Sequence, residues 1–408
     1  MKLEKIKAGL FIVLSLTLIL PLAVVSCGSD VPEDLEIRIG VMGGQTGPAA
    51  ADVVALVEEL EYIFNYINEE EGGIDGARLV WRIVDNQGTP EGAISAYKEL
   101  RDSFDPIMYL AVEDYYLLGI KDTIESDKAV LFTASAIQPQ AYIPASRFFS
   151  LAIPAPDGFA GYVKWVLENH KGSEKPKIGV LYWGDVPTGS QWRMAQGWAM
   201  KQGVEIEAVE YPIATRDLKP QLMRLRDAEV NYIWMLGVAG NAALAIQDFL
   251  GLGLGGQIPF CFNEYVVADQ LLGMVGQAAE GFYVYRSEVP YSDGTQAAEL
   301  YTKIWESATG EEKWSDNRLL ITLKAVISEA VNQAVADVGW ENLDSDAIYE
   351  ALNKLATIDT WGNMPGFGYG TNKRVGVSTM KIAQFTKDGT VAVSELIELP
   401  RTFEGVDQ

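Results

Sequence analysis

The sequence predicts an α/β protein of two doubly wound, parallel-sheet lobes, and three observations lead there. The first is Ile37 to Pro48, IRIGVMGGQTGP, where an alternating strand (Ile37, Ile39, Val41) breaks into a glycine loop and feeds a helix-like run from about Ala50 to Glu71. A strand, a glycine loop and a helix open an α/β domain. The second is the steady alternation of strand and helix signals up to about Ile153, with no long structureless insert. The third is a restart of the pattern at Lys177 to Tyr182, KIGVLY, after the punctuation of Pro154 and Pro156. Two βα series imply two parallel sheets, each covered on both faces.

Within the first series, RLVWRIVD (Arg78 to Asp85) reads as a strand after the turn Gly72 to Gly76. Pro90 to Ser103 reads as a helix, with Thr89 as its N-cap and Pro90 in the first turn. Further strands are expected at Ile107 to Val112, Ala129 to Thr133 and Phe148 to Ile153, with the first lobe crossing near the two prolines. In the second series a helix running to about Gln202 follows Gly184 to Gly189. Strands at Val204 to Tyr211, Tyr232 to Leu236 and Ile258 to Phe262 alternate with helices at Leu218 to Ala228 and Asn241 to Leu252. Helices at Gln296 to Thr309, Asn317 to Val338 and Ser345 to Leu355 then precede a strand-rich tail, Val375 to Phe385 and Val391 to Glu398. Too few strands remain for a third domain, so this part is expected to return and finish both lobes through a multi-strand hinge. The expected division is 37–153 for lobe 1, 154–283 for lobe 2, 284–382 for a return to lobe 1, and 383–408 for completion of lobe 2 and a tail.

The N-terminus reads as an address. Lys2, Lys5 and Lys7 precede an apolar run from Leu10 to Val25. Sixteen helical residues reach only about 24 Å, short of a bilayer core of about 30 Å, so a signal peptide fits better than a permanent span. The run ends in Val24-Val25-Ser26-Cys27, which resembles the lipobox of bacterial lipoproteins. That implies a signal peptide over 1–26, lipidation at Cys27, a polar tether over 27–36, and an anchor in the membrane of an otherwise extracytoplasmic protein.

Composition removes several function classes. With 56 acidic against 32 basic residues and a formal charge of −24, no basic face offers itself to nucleic acid. His170 is the only histidine, in the polar loop ENHKGSEKPK, where a solvated surface position is expected. Histidine-based catalysis or a zinc site is therefore not expected, and no metal, cofactor or catalytic residue is assigned. Cys27 and Cys261 are too few for a disulfide framework, and Cys261 in IPFCF is expected to pack as a small hydrophobe.

Gly251 to Gly256, GLGLGG, formally matches a dinucleotide motif but follows a helix and precedes a strand, the place of a glycine helix stop. Gly43-Gly44-Gln45-Thr46-Gly47-Pro48 has the strand-to-helix context but no lysine for phosphate, so a small polar ligand suits it better. Acidic residues followed by tyrosines close one strand in each series: Glu113-Asp114 before Tyr115-Tyr116, and Glu264 before Tyr265. At strand carboxyl ends these could face each other across a cleft, the carboxylate accepting from an ammonium or amide and the ring packing on an alkyl part. Trp183, Trp192 and Trp198 are expected mostly in packing, with Trp183, at a strand end, the one suited to a cleft.

The loop IGVMGGQTGP, the run NEEEGGIDGARLVWRIVDNQGTPEGA and the second-series WMLGVAGNAALAIQDFLGLGLGGQIPFCFNEY together resemble the type I periplasmic solute-binding proteins, in the branch of branched-chain amino acid (leucine-isoleucine-valine-binding) ABC transporters. The resemblance implies two lobes closing on a small solute, a membrane permease as partner, and a monomer. It places Glu264 where an acidic residue holds a ligand ammonium, and Thr133 to Ala136 in one of the loops that hold a ligand carboxylate. The other such loop departs, with Val112 to Tyr116 where a serine-rich turn is common. Two carboxylates beside a ligand carboxylate are costly without a cation, so an amide, a urea-like compound or an amine enters as a candidate beside an amino acid. The ligand shell expected on these grounds is Gln45, Thr46, Glu113, Tyr115, Ser135, Ala136, Trp183, Gly237 and Glu264. A ligand sensor of the same fold, signalling to a partner instead of feeding a permease, is the alternative.

Overall fold

A computed structural model describes residues 35–402, apart from 48–49, 114–115, 137, 187–188, 314 and 317, and apart from the side chains of Ala51 and Asp52. The signal peptide, Cys27, the tether up to residue 34, Asp114 and Tyr115 lie outside the described residues, while Glu36, expected to end the tether, opens the first strand.

The first sheet is assembled from β1 (Glu36–Gly43), α1 (Ala50–Glu69), β2 (Arg78–Asp85), α2 (Pro90–Phe104), β3 (Met108–Ala111), α3 (Lys121–Ser126), β4 (Leu131–Thr133) and β5 (Phe148–Ser150). Its strands are all parallel, in the order β2-β1-β3-β4-β5. β1 alternates only where it enters: Glu36 and Arg38 are exposed, Ile37 and Ile39 buried, and everything from Gly40 to Gly43 is buried between flanking strands and covering helices. Thr89 caps α2 as its sequence predicts, its hydroxyl accepting from Gly92 N–H at 3.0 Å.

The second sheet takes α4 (Ala155–Asn169), β6 (Lys177–Trp183), α5 (Gln196–Lys201), β7 (Glu205–Tyr211), α6 (Lys219–Asp227), β8 (Tyr232–Met235), α7 (Ala239–Gly251), β9 (Phe260–Phe262), α8 (Ala268–Val275) and β10 (Tyr283–Arg286). β7-β6-β8-β9-β10 repeat the strand order of the first sheet. Three helices follow: α9 (Gln296–Thr309), α10 (Leu319–Val338) and α11 (Ser345–Lys354). α9 and α10 pack on α1, on the side of the first sheet. β11 (Thr379–Thr386), β12 (Gly389–Ala392) and β13 (Ile397–Glu398) then return antiparallel to finish the second sheet at its edge. α10 is long and apolar enough to cross a membrane, yet twelve of its residues are buried in protein.

Several expectations change in detail. Pro154 and Pro156 do not merely punctuate; they open α4, because proline suits a first helical turn. α4 buries Phe159 against Trp192 and Trp234, so it belongs under the second sheet. Tyr283–Arg286 pair with residues 381–384 in that sheet, so both ends of the stretch 284–382 expected to return to the first lobe lie in the second sheet. Val375 is not in a strand but bridges Ser150 as the chain passes between sheets. His170 is half-buried, its ring 5.8 Å from Tyr232 and its Nε2 3.0 Å from the Glu174 carbonyl. Cys261 is free and buried. Gly253 and Gly256, both at φ +71°, unwind the chain after α7 in a conformation that favours glycine.

Candidate functional site

In each sheet the strand order reverses at one place, between β1 and β3 and between β6 and β8. Ligands of open α/β sheets sit at the carboxyl ends of strands flanking such a switch point. Here the two switch points open into one cavity of about 1080 Å³, lined from both lobes. Val112, Glu113 and Ser135 come from the first sheet's strand ends, and Trp183, Val238 and Glu264 from those of the second. The lobes also touch directly. The Ile153 N–H donates to Glu264 Oε1 at 2.6 Å, and the Tyr265 hydroxyl accepts from the Ala136 N–H at 3.1 Å.

Glu113 shows what replaced the expected hydroxyls. It is 7% exposed, and both its oxygens accept from the Gly44 N–H, at 3.0 and 3.2 Å. Burial pushes its pKa up, against the opposing pull of Gly44, Asn86 and Tyr116. The carboxyl thus ties the glycine loop to the end of β3. A Cβ on Gly44 would stand 2.5 Å from Glu113 Oε1 and 2.9 Å from the Gly88 nitrogen, so only glycine fits. Gly44→Ala is expected to lower stability by about 1–3 kcal/mol, an overpacking cost read as a shift of the urea midpoint at unchanged slope. An unchanged midpoint would disprove this role.

The second lobe carries a carboxyl pair. Glu264 and Glu288, 8% and 4% exposed, both line the cavity. Ser287 Oγ lies 2.7 Å from Glu264 Oε2 and 3.1 Å from Glu288 Oε2. One hydroxyl carries one hydrogen and cannot donate to both. Burial and the neighbouring Glu288 charge push the Glu264 pKa up to about 8, and burial raises Glu288 as well. Burial and mutual repulsion thus favour a proton on this pair at higher pH than an ordinary carboxyl would keep one.

A third cluster joins the lobes. Lys313, in the loop between α9 and α10, sits 3.1 Å from Glu59 on α1 and 3.3 Å from Asp269 on α8. Tyr301 also donates to Glu59, at 3.2 Å. Burial works to lower the Lys313 pKa, but the two carboxylates outweigh it and hold it raised.

Of the residues singled out in the sequence, Glu113, Ser135, Trp183 and Glu264 line this cavity together. Trp183 is fixed by its indole N–H donating to Asn241 Oδ1 at 3.1 Å. Gln45, Thr46, Ala136 and Gly237 do not line it. Thr46 turns to Asp85, its hydroxyl donating at 2.7 Å. The Gly237 N–H is taken by Asn263 Oδ1 at 2.8 Å. Ser287 and Glu288 went unmarked although they follow β10 as Glu264 follows β9, so the strand-end rule could have found them. Nothing in GEEKWSDN marks Lys313 beforehand.

The chain matches the family described as Periplasmic binding protein over residues 36–390. No curated protein matches it. Among solved structures it is similar to a branched-chain amino acid ABC transporter protein from Thermus thermophilus with bound valine, at TM-score 0.80 and 18% identity over 92% of this chain and 100% of that one. It is also similar to a fatty acid ABC transporter substrate-binding protein from Thermomonospora curvata, at TM-score 0.77 and 18% identity, covering 92% of this chain and 95% of that one. A third, the solute-binding protein of an ABC transporter from Rhodopseudomonas palustris in complex with 3,4-dihydroxybenzoic acid, gives TM-score 0.74 and 14% identity over 90% and 99%. At these identities the likeness carries the fold, and the family match carries a solute-binding role outside the cytoplasm. Two βα lobes, a cavity across both switch points and a match over most of the length agree: the chain belongs to the periplasmic binding protein family, in its type I, two-lobed form.

Proposed function

We propose that this protein is the substrate-binding component of an ABC importer, anchored by lipid at Cys27, which captures a small solute between its lobes and delivers it to a membrane permease. The observation that carries the reading is the single cavity lined by strand ends from both sheets. The solute classes suggested by the sequence are an amino acid or an amide, urea-like or amine-bearing compound. Closure works by differential contact: a solute touching both lobes favours the state in which they meet. The Lys313–Asp269 pair contributes to the same state without ligand.

Small-angle X-ray scattering tests the closing motion. The Asp269→Asn variant, with the cross-lobe ion pair removed, is expected to show a larger ligand-free radius of gyration than the parent, and saturating solute is expected to bring both to the same smaller value. Identical radii in every state would refute hinge closure. For the anchor, Cys27→Ala is expected to move the protein from the membrane to the soluble fraction; retention in the membrane would refute it.

A further inference from the structure

We infer that the cavity is built for an amphipathic organic cation, an ammonium on an apolar body that carries no carboxylate of its own. This rests on the solute-capture reading above and narrows it to one chemistry.

Backbone donors next to the cavity's lining residues are already spent inside the protein. An α-amino acid or a fatty acid brings a carboxylate, and a carboxylate needs N–H groups or a cation. The Gly44 N–H is taken by Glu113, the Ile153 N–H by Glu264, the Ala136 N–H by the Tyr265 hydroxyl and the Gly237 N–H by Asn263. In the first two the acceptor is one of the carboxyls that line the cavity, Glu113 or Glu264.

The nearby cations are committed too. Lys313 is held between Glu59 and Asp269. Arg286 donates to the carbonyls of Glu264 and Val266, at 2.7 and 2.6 Å. Arg318 serves the carbonyls of Ser315 and Val289. Arg216, exposed to water, is the remaining cation that lines the cavity.

The carboxyls are in the opposite position. Glu113, Glu264 and Glu288 all line the cavity and are more than nine-tenths buried, and none of the ion pairs among the described residues includes them. Glu264 and Glu288 face each other through one hydroxyl hydrogen, an arrangement that needs one further positive charge. An ammonium with three donors supplies it and displaces the shared proton. Among the described residues no group of three or more His, Cys, Asp and Glu is placed to hold a metal ion, and the cation proposed is an organic one. The rest of the wall, with Val53, Leu56, Val112, Leu244, Val267 and Leu319, offers apolar surface to a hydrocarbon body. The volume, about 1080 Å³, lies just above the roughly 300–1,000 Å³ common for small-molecule sites, more than a bare ammonium needs.

Calorimetric titration of ligand-free protein, verified by mass spectrometry, with n-octylamine, 1-octanol, octanoate, L-2-aminooctanoate and L-leucine at pH 7 tests this. Octylamine is expected to bind at least tenfold tighter than the other four, with release of up to one proton, read from the change in enthalpy between buffers of different ionisation heat. In Glu288→Gln the octylamine affinity is expected to fall at least tenfold while that for octanol holds, at an unchanged circular dichroism spectrum. Tighter or equal binding of octanoate, L-2-aminooctanoate or leucine would overturn the cation inference and leave solute capture standing. Equal binding of octanol and octylamine would likewise overturn it, reducing the site to an apolar one. No binding of any of the five would overturn the inference; no binding across amino acids, amides, ureas and polyamines as well would overturn solute capture itself.

Discussion

Glu264→Ala is expected to lower affinity for an ammonium-bearing solute at least tenfold, about 1.4 kcal/mol, and to destabilise the ligand-free protein by about 1–3 kcal/mol. The second effect follows from geometry: the Ile153 N–H, reaching across from the first lobe, loses its acceptor in a buried place. The same carboxyl makes stability depend on pH. Its pKa is raised from 4.5 to about 8 by burial and by Glu288, with Ser287, the Ile153 N–H and Arg286 opposing. Between those values the folded state holds a proton that the unfolded state has released. The contribution of this carboxyl is therefore fullest below about 4.5 and falls as pH rises through about 8, by up to about 1.4 kcal/mol per unit. Glu264→Gln, which keeps an amide in the same place, is expected to flatten that fall. Urea midpoints at pH 5 and pH 8 measure it, and equal slopes for parent and Glu264→Gln would sink the shared-proton account.

Arg318→Met is expected to be the most destabilising of the changes described, at about 3–5 kcal/mol, because it breaks a buried charge pair from one side. Arg318 is fully buried, 3.7 Å from an equally buried Asp316. Its guanidinium also donates to the carbonyls of Ser315 and Val289 and to Asn363 Oδ1. Asp316 in turn accepts from the Tyr291 N–H at 2.5 Å and from the Thr390 hydroxyl. This knot joins the start of α10, the passage after β10 and β12, so it holds together segments belonging to both sheets. Equilibrium urea unfolding gives the loss; a value below 1 kcal/mol would show that the knot is dispensable.

The fold was legible because both physical periods are clean in this chain. Buried parallel strands such as KIGVLY show as short apolar runs, and α9 lies at Gln296–Thr309 as its pattern predicts. Helix α8 was not legible, since it is only eight residues long and lies between irregular turns. The site was half legible, through one rule. Strand ends pointed to Glu113, Trp183 and Glu264, all in the cavity wall. The glycine loop misled in part: Gly44 offers its N–H as expected, but to Glu113 and not to the cavity, while Thr46 locks the loop to β2. No local pattern could disclose Lys313, whose partners Glu59 and Asp269 lie 254 and 44 residues away in the sequence.

The placement of α9 and α10 on α1 bears on how the chain must be made. Glu59 meets Tyr301 and Lys313 across sequence separations of 242 and 254 residues. At a synthesis rate of about 5–20 residues per second, α1 waits roughly 12–50 s before these partners exist. During that interval the strands of the first sheet are present but the helices that cover α1 are not. An N-terminal fragment ending near Ile153 therefore carries a complete set of strands and an incomplete coat, and is expected to be sticky rather than independently foldable. The half of the protein that begins first cannot be completed until most of the second has been made.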